Sequence, residues 1–184
     1  MDCEFTGLHR GTTLISIGCV ADDGRTFYAE CSDFDVSQVD PWVQENVLRN
    51  LTLMPKMIGK PLLPRMHVNY GHVDCEIWGS KRFVGSELAH WLSRYDNVEM
   101  WSDCLAYDWT LFNDLYGHAF KIPSNVFYIP FDLCTLFKLK GIDPDVCREE
   151  FAGMNGQRHH ALWDAKVIKA CYEKAIRWDK SINL

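Results

Sequence analysis

The sequence predicts an α/β fold in which helices flank a mixed β-sheet. Three β-rich segments open the chain around a turn signal, and strand-like and helix-like segments alternate after about residue 80. Strands joined by tight turns pair antiparallel, whereas strands separated by helices pair parallel. We therefore expect an antiparallel meander followed by parallel strands, about five or six strands in all, within one domain covering 1–184.

The opening meander follows from residue types and turn chemistry. Residues 13–20 and 25–31 are rich in β-branched and aromatic side chains, and the run DDG at 22–24 is typical of a hairpin turn. The segment DCEF at 2–5 predicts a preceding strand of the same meander.

Apolar side chains at helical spacing predict the helices. A segment over about 81–95 places Val84, Leu88 and Trp91 on one face, and the last helix is expected over about 161–178. The other expected elements are helices at about 38–50 (with Trp42, Val43, Asn46 and Val47 at helical spacing), 108–118 and 133–139, and strands at 98–104 and 126–131.

Residues 52–80 contain three prolines and three glycines, which predicts a long functional loop. Leu62, Leu63 and Met66 within it are candidates for covering a partner.

Bulk composition narrows the function classes. A net charge of −6 argues against a protein that coats nucleic acid through bulk electrostatics, but it does not exclude an enzyme acting on a nucleic acid end. No apolar run approaches the ~18 residues that cross a bilayer, and the N-terminus lacks the features of a signal peptide. The eight cysteines form no CxxC pair, so reduced thiols and a cytoplasmic location are expected.

Asp2 and Glu4 are the first candidates for chemistry. Residues at i and i+2 of a strand point to the same face, so these two carboxylates are expected to lie close together. Like charges that close repel unless a cation lies between them, and Mg²⁺ or Mn²⁺ prefers oxygen ligands. A solvated polar strand end is the alternative interpretation of this pair.

Asp108, His159 and Asp164 are the later candidates. Asp108, in AYDWTLF, lies at a strand-to-helix corner, where α/β sheets collect ligands; a helix cap is the alternative. In RHHALWDA, Asp164 falls in the first turn of the last helix and His159 on the loop before it. Histidine titrates near neutral pH and suits a general base, whereas the alternative is a surface histidine pair beside a helix cap.

Together these motifs resemble those of the DEDDh exonuclease superfamily: DxE near the N-terminus, an aromatic-Asp pair before a helix, and HxALxDA opening the last helix. The chain is most similar to the ribonuclease AS group of small exoribonucleases in DCEFTGLHRGTTLISIGCVADDGRTFYAE, WVQENVL and the AYD segment, from residue 2 to about 175. The superfamily resemblance implies a ribonuclease H-like fold and 3′-to-5′ exonuclease activity with two Mg²⁺ or Mn²⁺ ions. The closer one implies single-stranded RNA as substrate, a preference for adenylate, nucleoside 5′-monophosphate products and a homodimer.

The resemblance also implies what each motif residue does. Asp2 would bridge the two ions. Glu4 and Asp164 would complete the shell of the first ion, and Asp108 would hold the second through waters. His159 would accept a proton from the water that attacks the terminal phosphodiester.

Two features depart from the family pattern. Only Met1 precedes Asp2, where the family has several apolar residues, so either the first strand is short or the natural start lies upstream. The histidine is also doubled: the HxxxxD spacing selects His159 and leaves His160 as the runner-up.

Four further residues are candidates for supporting parts. Phe5 and Leu8 are expected to stack on or wedge against the terminal base, with core packing as the alternative. Arg158 is expected to meet a phosphate, with a solvated charge as the alternative. Asp103, five residues before Asp108, is a candidate for supporting the site from outside the metal shell. The rival functions are a 3′-to-5′ exonuclease on single-stranded DNA and a catalytically inactive RNA-binding dimer.

Overall fold

The central sheet carries the elements that position the candidate residues. A computed structural model describes residues 1–54, 65–69 and 74–178 of the chain. The strands are β1 (Asp2–Phe5), β2 (Leu14–Val20), β3 (Thr26–Cys31), β4 (Arg65–Asn69) and β5 (Asp74–Gly79), in the order β1-β2-β3-β5-β4. The first three pair antiparallel, β5 runs parallel to β3, and β4 runs antiparallel to β5. The predicted α/β class, the opening meander and the change from antiparallel to parallel pairing are confirmed.

A short parallel pair lies beside β1. It consists of β6 (Trp101–Ser102) and β7 (Phe131–Asp132), and the amino group of Met1 donates a hydrogen bond to the Trp101 carbonyl (2.6 Å). The strands predicted at 98–104 and 126–131 are therefore wrong in length, although an isolated bridge joins Val98 to Val126. Residues 127–129 are exposed aromatic and aliphatic side chains. Their β propensity is not realised because a strand needs neighbouring side chains to pack against.

The helices agree with the predicted positions more closely than the later strands do. They are α1 (Pro41–Asn46), α2 (Lys81–Leu92), α3 (Leu105–Leu115), α4 (Leu133–Lys140), α5 (Arg148–Ala152) and α6 (Ala161–Ile176). The single helix predicted at 38–50 is wrong, because α1 is short and is flanked by separate 3-10 turns at Val36–Gln38 and Leu48–Asn50. Helix α3 begins three residues earlier than expected, and the one-turn-long α5 was not predicted.

The predicted loop at 52–80 is wrong in part, because β4 and β5 lie within it. The proposed partner surface falls on Leu62 and Leu63, which lie outside the described residues, and on Met66, whose side chain is also outside them.

The two faces of the sheet differ in chemistry. One face contributes Ile17, Phe27 and Ile77 to a core shared with α2 and α3. The other face carries the side chains of Asp2 and Glu4 and is crossed by α6. Because side chains alternate along a strand, the same short strands supply both an apolar core and an acidic surface.

Gly18 allows α6 to approach the acidic face closely. Gly18 is the cross-strand partner of Asp2, and a Cβ added to it would lie 2.3 Å from the carbonyl oxygen of Ala161. The first turn of α6, which contains Asp164, therefore lies directly over the β1 carboxylates.

The eight cysteines are free thiols. Within the described ranges, no helix combines the length and apolar character needed to cross a membrane.

Candidate metal centre

Five carboxylates from four parts of the fold meet at Asp2. Oxygen atoms of Asp2, Glu4 and Asp164 lie within 4.8 Å of one another, and so do oxygen atoms of Asp2, Asp103 and Asp108. Asp2 and Glu4 come from β1, Asp164 from the first turn of α6, Asp108 from the first turn of α3, and Asp103 from the connection before α3. The four carboxylates predicted from sequence are thus brought together, with Asp2 common to both groups.

Burial and mutual repulsion raise the pKa values of this cluster. Burial, then Asp164 and Asp108, raise the pKa of Glu4 from 4.5 to about 8. Burial raises the pKa of Asp108 to about 7, opposed by a hydrogen bond from Ser102, and burial raises that of Asp164 to about 6. The pKa of Asp2 is well above its usual range, through burial first and then through Asp108 and Glu4. The cluster therefore holds its negative charge at a cost that a bound cation would remove.

The donor set fits hard divalent cations. Oδ2 of Asp2 and Oδ1 of Asp108 are buried, and neither has a hydrogen-bond partner among the described residues. Buried polar atoms without partners are uncommon and point to an ion or water between them. All the grouped atoms are carboxylate oxygens, the ligands that Mg²⁺ and Mn²⁺ prefer. The residues fit one cation between Asp2, Glu4 and Asp164 and another beside Asp108.

Four of the five carboxylates line a cleft of about 740 Å³, namely Asp2, Glu4, Asp103 and Asp164, whereas Asp108 is buried behind it. His159, Phe5, Leu8 and Arg158 line this cleft, so the remaining predicted site residues are near the carboxylates as well. Trp42 lines it from α1. A volume of this size accommodates one or two nucleotides rather than a duplex.

His159 and His160 occupy different environments. The ring of His159 lies in the cleft with the Trp42 indole packed edge-on against it at 4.9 Å. The ring of His160 lies outside the cleft, stacked on Tyr28 at 4.5 Å, while its backbone N–H donates to Oδ2 of Asp164 (3.1 Å). Burial lowers the pKa of both histidines, and for His159 the nearby Arg158 charge lowers it further. A neutral imidazole in the cleft is able to accept a proton.

The side chains that are candidates for contacting substrate differ in their exposure and in the contacts they already make. The Phe5 ring is stacked on Tyr107 at 5.2 Å, whereas Leu8 is 74% exposed at the cleft edge. Arg158 forms an ion pair with Glu149, with Nη2 3.0 Å from Oε2. An incoming phosphate would therefore compete with Glu149 for the guanidinium.

Three site features were not predicted as such. Asp103 lies within the carboxylate cluster itself, where Nε of Arg148 donates to its Oδ2 (3.1 Å). Trp42 was placed on a helix face by its spacing, yet it is 54% exposed and contacts His159. Asn50 holds the chain before α6 by hydrogen bonds. The sequence offers no local signal for these three features, because each depends on a tertiary contact.

Part of the chain is similar to known proteins. The chain is 30% identical over 127 residues to proteins named 3′-5′ exoribonuclease from two strains of Mycobacterium tuberculosis. The match includes 68% of this chain and 64% of each relative, so the chain spans somewhat less than two thirds of the relatives' length. No family model matches the chain.

Proposed function

We propose that this protein is a metal-dependent 3′-to-5′ exoribonuclease of the DEDDh type with a ribonuclease H-like fold. The proposal rests on two sets of three clustered carboxylates that have Asp2 in common. Asp2 lines the same cleft as His159. The similarity to mycobacterial proteins named 3′-5′ exoribonuclease supports the same reaction class.

The four motif carboxylates would hold two divalent ions. Asp2 belongs to both groups and is the residue suited to bridging, with Glu4 and Asp164 on one side and Asp108 on the other. Four ionised carboxylates carry four negative charges, which two Mg²⁺ or Mn²⁺ ions offset. When bound, such ions stabilise the attacking and leaving oxygens of a phosphodiester in line.

His159 is proposed as the general base. Its imidazole lies in the cleft, and its lowered pKa keeps it neutral at physiological pH, so it is able to take a proton from an attacking water. His160 lacks access to the cleft because its ring is stacked on Tyr28. The product of this reaction is a nucleoside 5′-monophosphate and an RNA shortened by one residue.

The 3′ end of single-stranded RNA is the proposed substrate. A net charge of −6 gives little electrostatic attraction to a long duplex, and the cleft has the size for one or two nucleotides. Phe5, Leu8 and Trp42 provide aromatic and apolar surface along the cleft, and stacking is worth ~1–3 kcal/mol per base. Adenine, with its large ring face, suits such a surface, which favours the adenylate preference implied by the resemblance.

The test uses end-labelled homopolymers. Oligo(A), oligo(U), oligo(C) and oligo(dA), labelled at the 5′ end, are incubated with the protein in Mg²⁺ or in EDTA, with Asp164→Ala as the inactive control. We expect stepwise shortening from the 3′ end in Mg²⁺ only, fastest on oligo(A). Faster trimming of oligo(dA) than of every RNA would instead indicate a DNA exonuclease. Equal rates on all RNAs would remove the adenylate preference, and RNA binding without cleavage would indicate an inactive RNA-binding protein.

A homodimer in the cytoplasm completes the proposal. Free thiols at all eight cysteines fit a reducing compartment. Light scattering of the purified protein would measure the oligomeric state, and a mass equal to one chain of 21.3 kDa would contradict the dimer.

A further inference from the structure

The side chain of Asn50 ties the 3-10 turn after α1 to the segment that precedes α6. Its Nδ2 donates to the carbonyl oxygens of Arg158 (2.7 Å) and His159 (3.2 Å), and also to that of Asn46 (2.6 Å). Its Oδ1 accepts a hydrogen bond from Nε2 of Gln157 (2.5 Å). Both ends of one amide group are therefore bonded to residues 157–159, more than a hundred positions away in the chain.

The backbone that Asn50 contacts is strained at His159. His159 has φ 57°, and it is the one non-glycine residue with positive φ among those the structure describes. A residue with a Cβ disfavours this left-handed conformation and keeps it only when the surrounding structure holds it there. On the α6 side, the His160 N–H donates to Asp164 (3.1 Å). On the other side, the hydrogen bond that the described residues supply to the His159 carbonyl comes from Nδ2 of Asn50 (3.2 Å).

The turn that carries Asn50 is itself firmly packed. Val47 and Leu51, on either side of the Leu48–Asn50 turn, are 1% and 6% exposed and belong to a core cluster with Ile15 and Phe34. Helix α1, which precedes this turn, places Trp42 against the His159 ring. The hydrogen bonds of Asn50 thus hold the strained loop before α6 in place against a well-packed part of the core.

We propose that Asn50 is a positioning residue for His159. By holding the carbonyl groups of Arg158 and His159, it maintains the left-handed backbone that directs the imidazole into the carboxylate cleft. This inference rests on the proposed function for the catalytic part. The hold on the loop is a separate property that can be measured without any nuclease activity.

The kinetic test is a double-mutant cycle with a matched control. Asn50→Ala is expected to lower kcat about tenfold with KM changed less than about twofold, the size of effect that loss of hydrogen bonds to the loop predicts. Asn46→Ala removes a neighbouring amide whose bond among the described residues stays within α1, to the Trp42 carbonyl (2.9 Å). This variant should leave kcat within about twofold of the wild type. In a His159→Ala background, Asn50→Ala should have almost no further effect, because there is no imidazole left to position. An equal loss in both backgrounds, or no loss in the wild type, would overturn the proposal.

Amide hydrogen exchange supplies the readout that does not depend on activity. Asn50→Ala should raise exchange of the backbone amides at 158–160 about tenfold with the unfolding midpoint little changed, whereas Asn46→Ala should not. Asn50→Asp, which keeps the size of the side chain but loses the donor, should behave like Asn50→Ala. Unchanged exchange in both Asn50 variants would overturn the proposal. A wild-type protein that leaves all RNAs intact while these amides respond would instead refute the proposed function and retain the positioning by Asn50.

Discussion

Replacing Glu4 by Gln should stabilise the protein in the absence of divalent metal. Glu4 is 9% exposed, and burial together with Asp164 and Asp108 raises its pKa from 4.5 to about 8. A carboxyl group whose pKa is higher in the folded state stabilises the fold below pH 4.5, and this contribution is lost as the pH rises towards 8. The glutamine amide does not ionise in this pH range, so the stability of the variant should not decline in this way.

The expected size of the effect follows from the pKa values. At pH 7 the solution is about 2.5 pH units above the pKa of 4.5 that Glu4 has in the unfolded state, whereas the folded carboxyl group, with a pKa of about 8, is still mostly protonated. At about 1.36 kcal/mol per unit, this difference lowers the stability of the wild type by about 3 kcal/mol. At pH 5 the same reasoning leaves less than about 1 kcal/mol. The advantage of Glu4→Gln in the free energy of unfolding should therefore grow steadily from pH 5 to pH 7.

Urea denaturation in EDTA across this pH range measures the difference. Glu99→Gln, which removes an exposed carboxylate, is the control and should change the free energy of unfolding by no more than about 0.5 kcal/mol at any of these pH values. Saturating Mn²⁺ should reverse the order, because the wild type gains binding energy through a ligand that the variant lacks. A variant that is less stable than the wild type in EDTA at pH 7, or a gain that does not depend on pH, would refute the reasoning.

Four more substitutions test the geometry of the site. Asp164→Ala should leave less than about a tenth of the RNA-degrading activity at saturating Mg²⁺ with circular dichroism unchanged, and greater residual activity would contradict its assignment as a metal ligand. His159→Ala should lower kcat by ~10²-fold while the rise in melting temperature caused by Mn²⁺ stays the same. His160→Ala should be much milder in kcat, and the opposite ranking would mean that the wrong histidine has been chosen. Gly18→Ala should destabilise the fold by about 1–3 kcal/mol and weaken Mn²⁺ binding measured by calorimetry, because the added Cβ would force the Ala161 carbonyl and the start of α6 away from the sheet. An unaltered Mn²⁺ affinity would show that this close approach is not required.

Sequence patterns predicted those parts of the site whose residues are close together in the chain. The period of two along β1 predicts that Asp2 and Glu4 share a face, and the structure places their oxygen atoms within 4.8 Å of each other. The position of Asp164 in the first turn of the last helix also follows from the sequence. The contact of Asp164 with β1 depends on Gly18 in β2, which allows α6 to approach closely. The motif RHHALWDA by itself does not reveal this requirement.

Other parts of the site depend on tertiary contacts that sequence patterns do not encode. Asp103 enters the cluster because β6 ends beside β1, and the short length of β6 was not predicted. Asn50 was part of an expected helix, yet its amide bonds to carbonyl groups in a distant loop. Trp42 has helical spacing with core residues but faces the cleft, since α1 is too short to bury it.

The arrangement of Asp2 under the first turn of α6 has a consequence for protein synthesis. The strand carrying Asp2 and Glu4 is synthesised before α6, and Asp164 and the histidine loop follow only after all the other described strands have been made. A nascent or truncated chain without α6 has the β1 carboxylates but neither the partner carboxylate nor the proposed base. The proposed nuclease activity is therefore expected to arise only when α6 docks against the sheet.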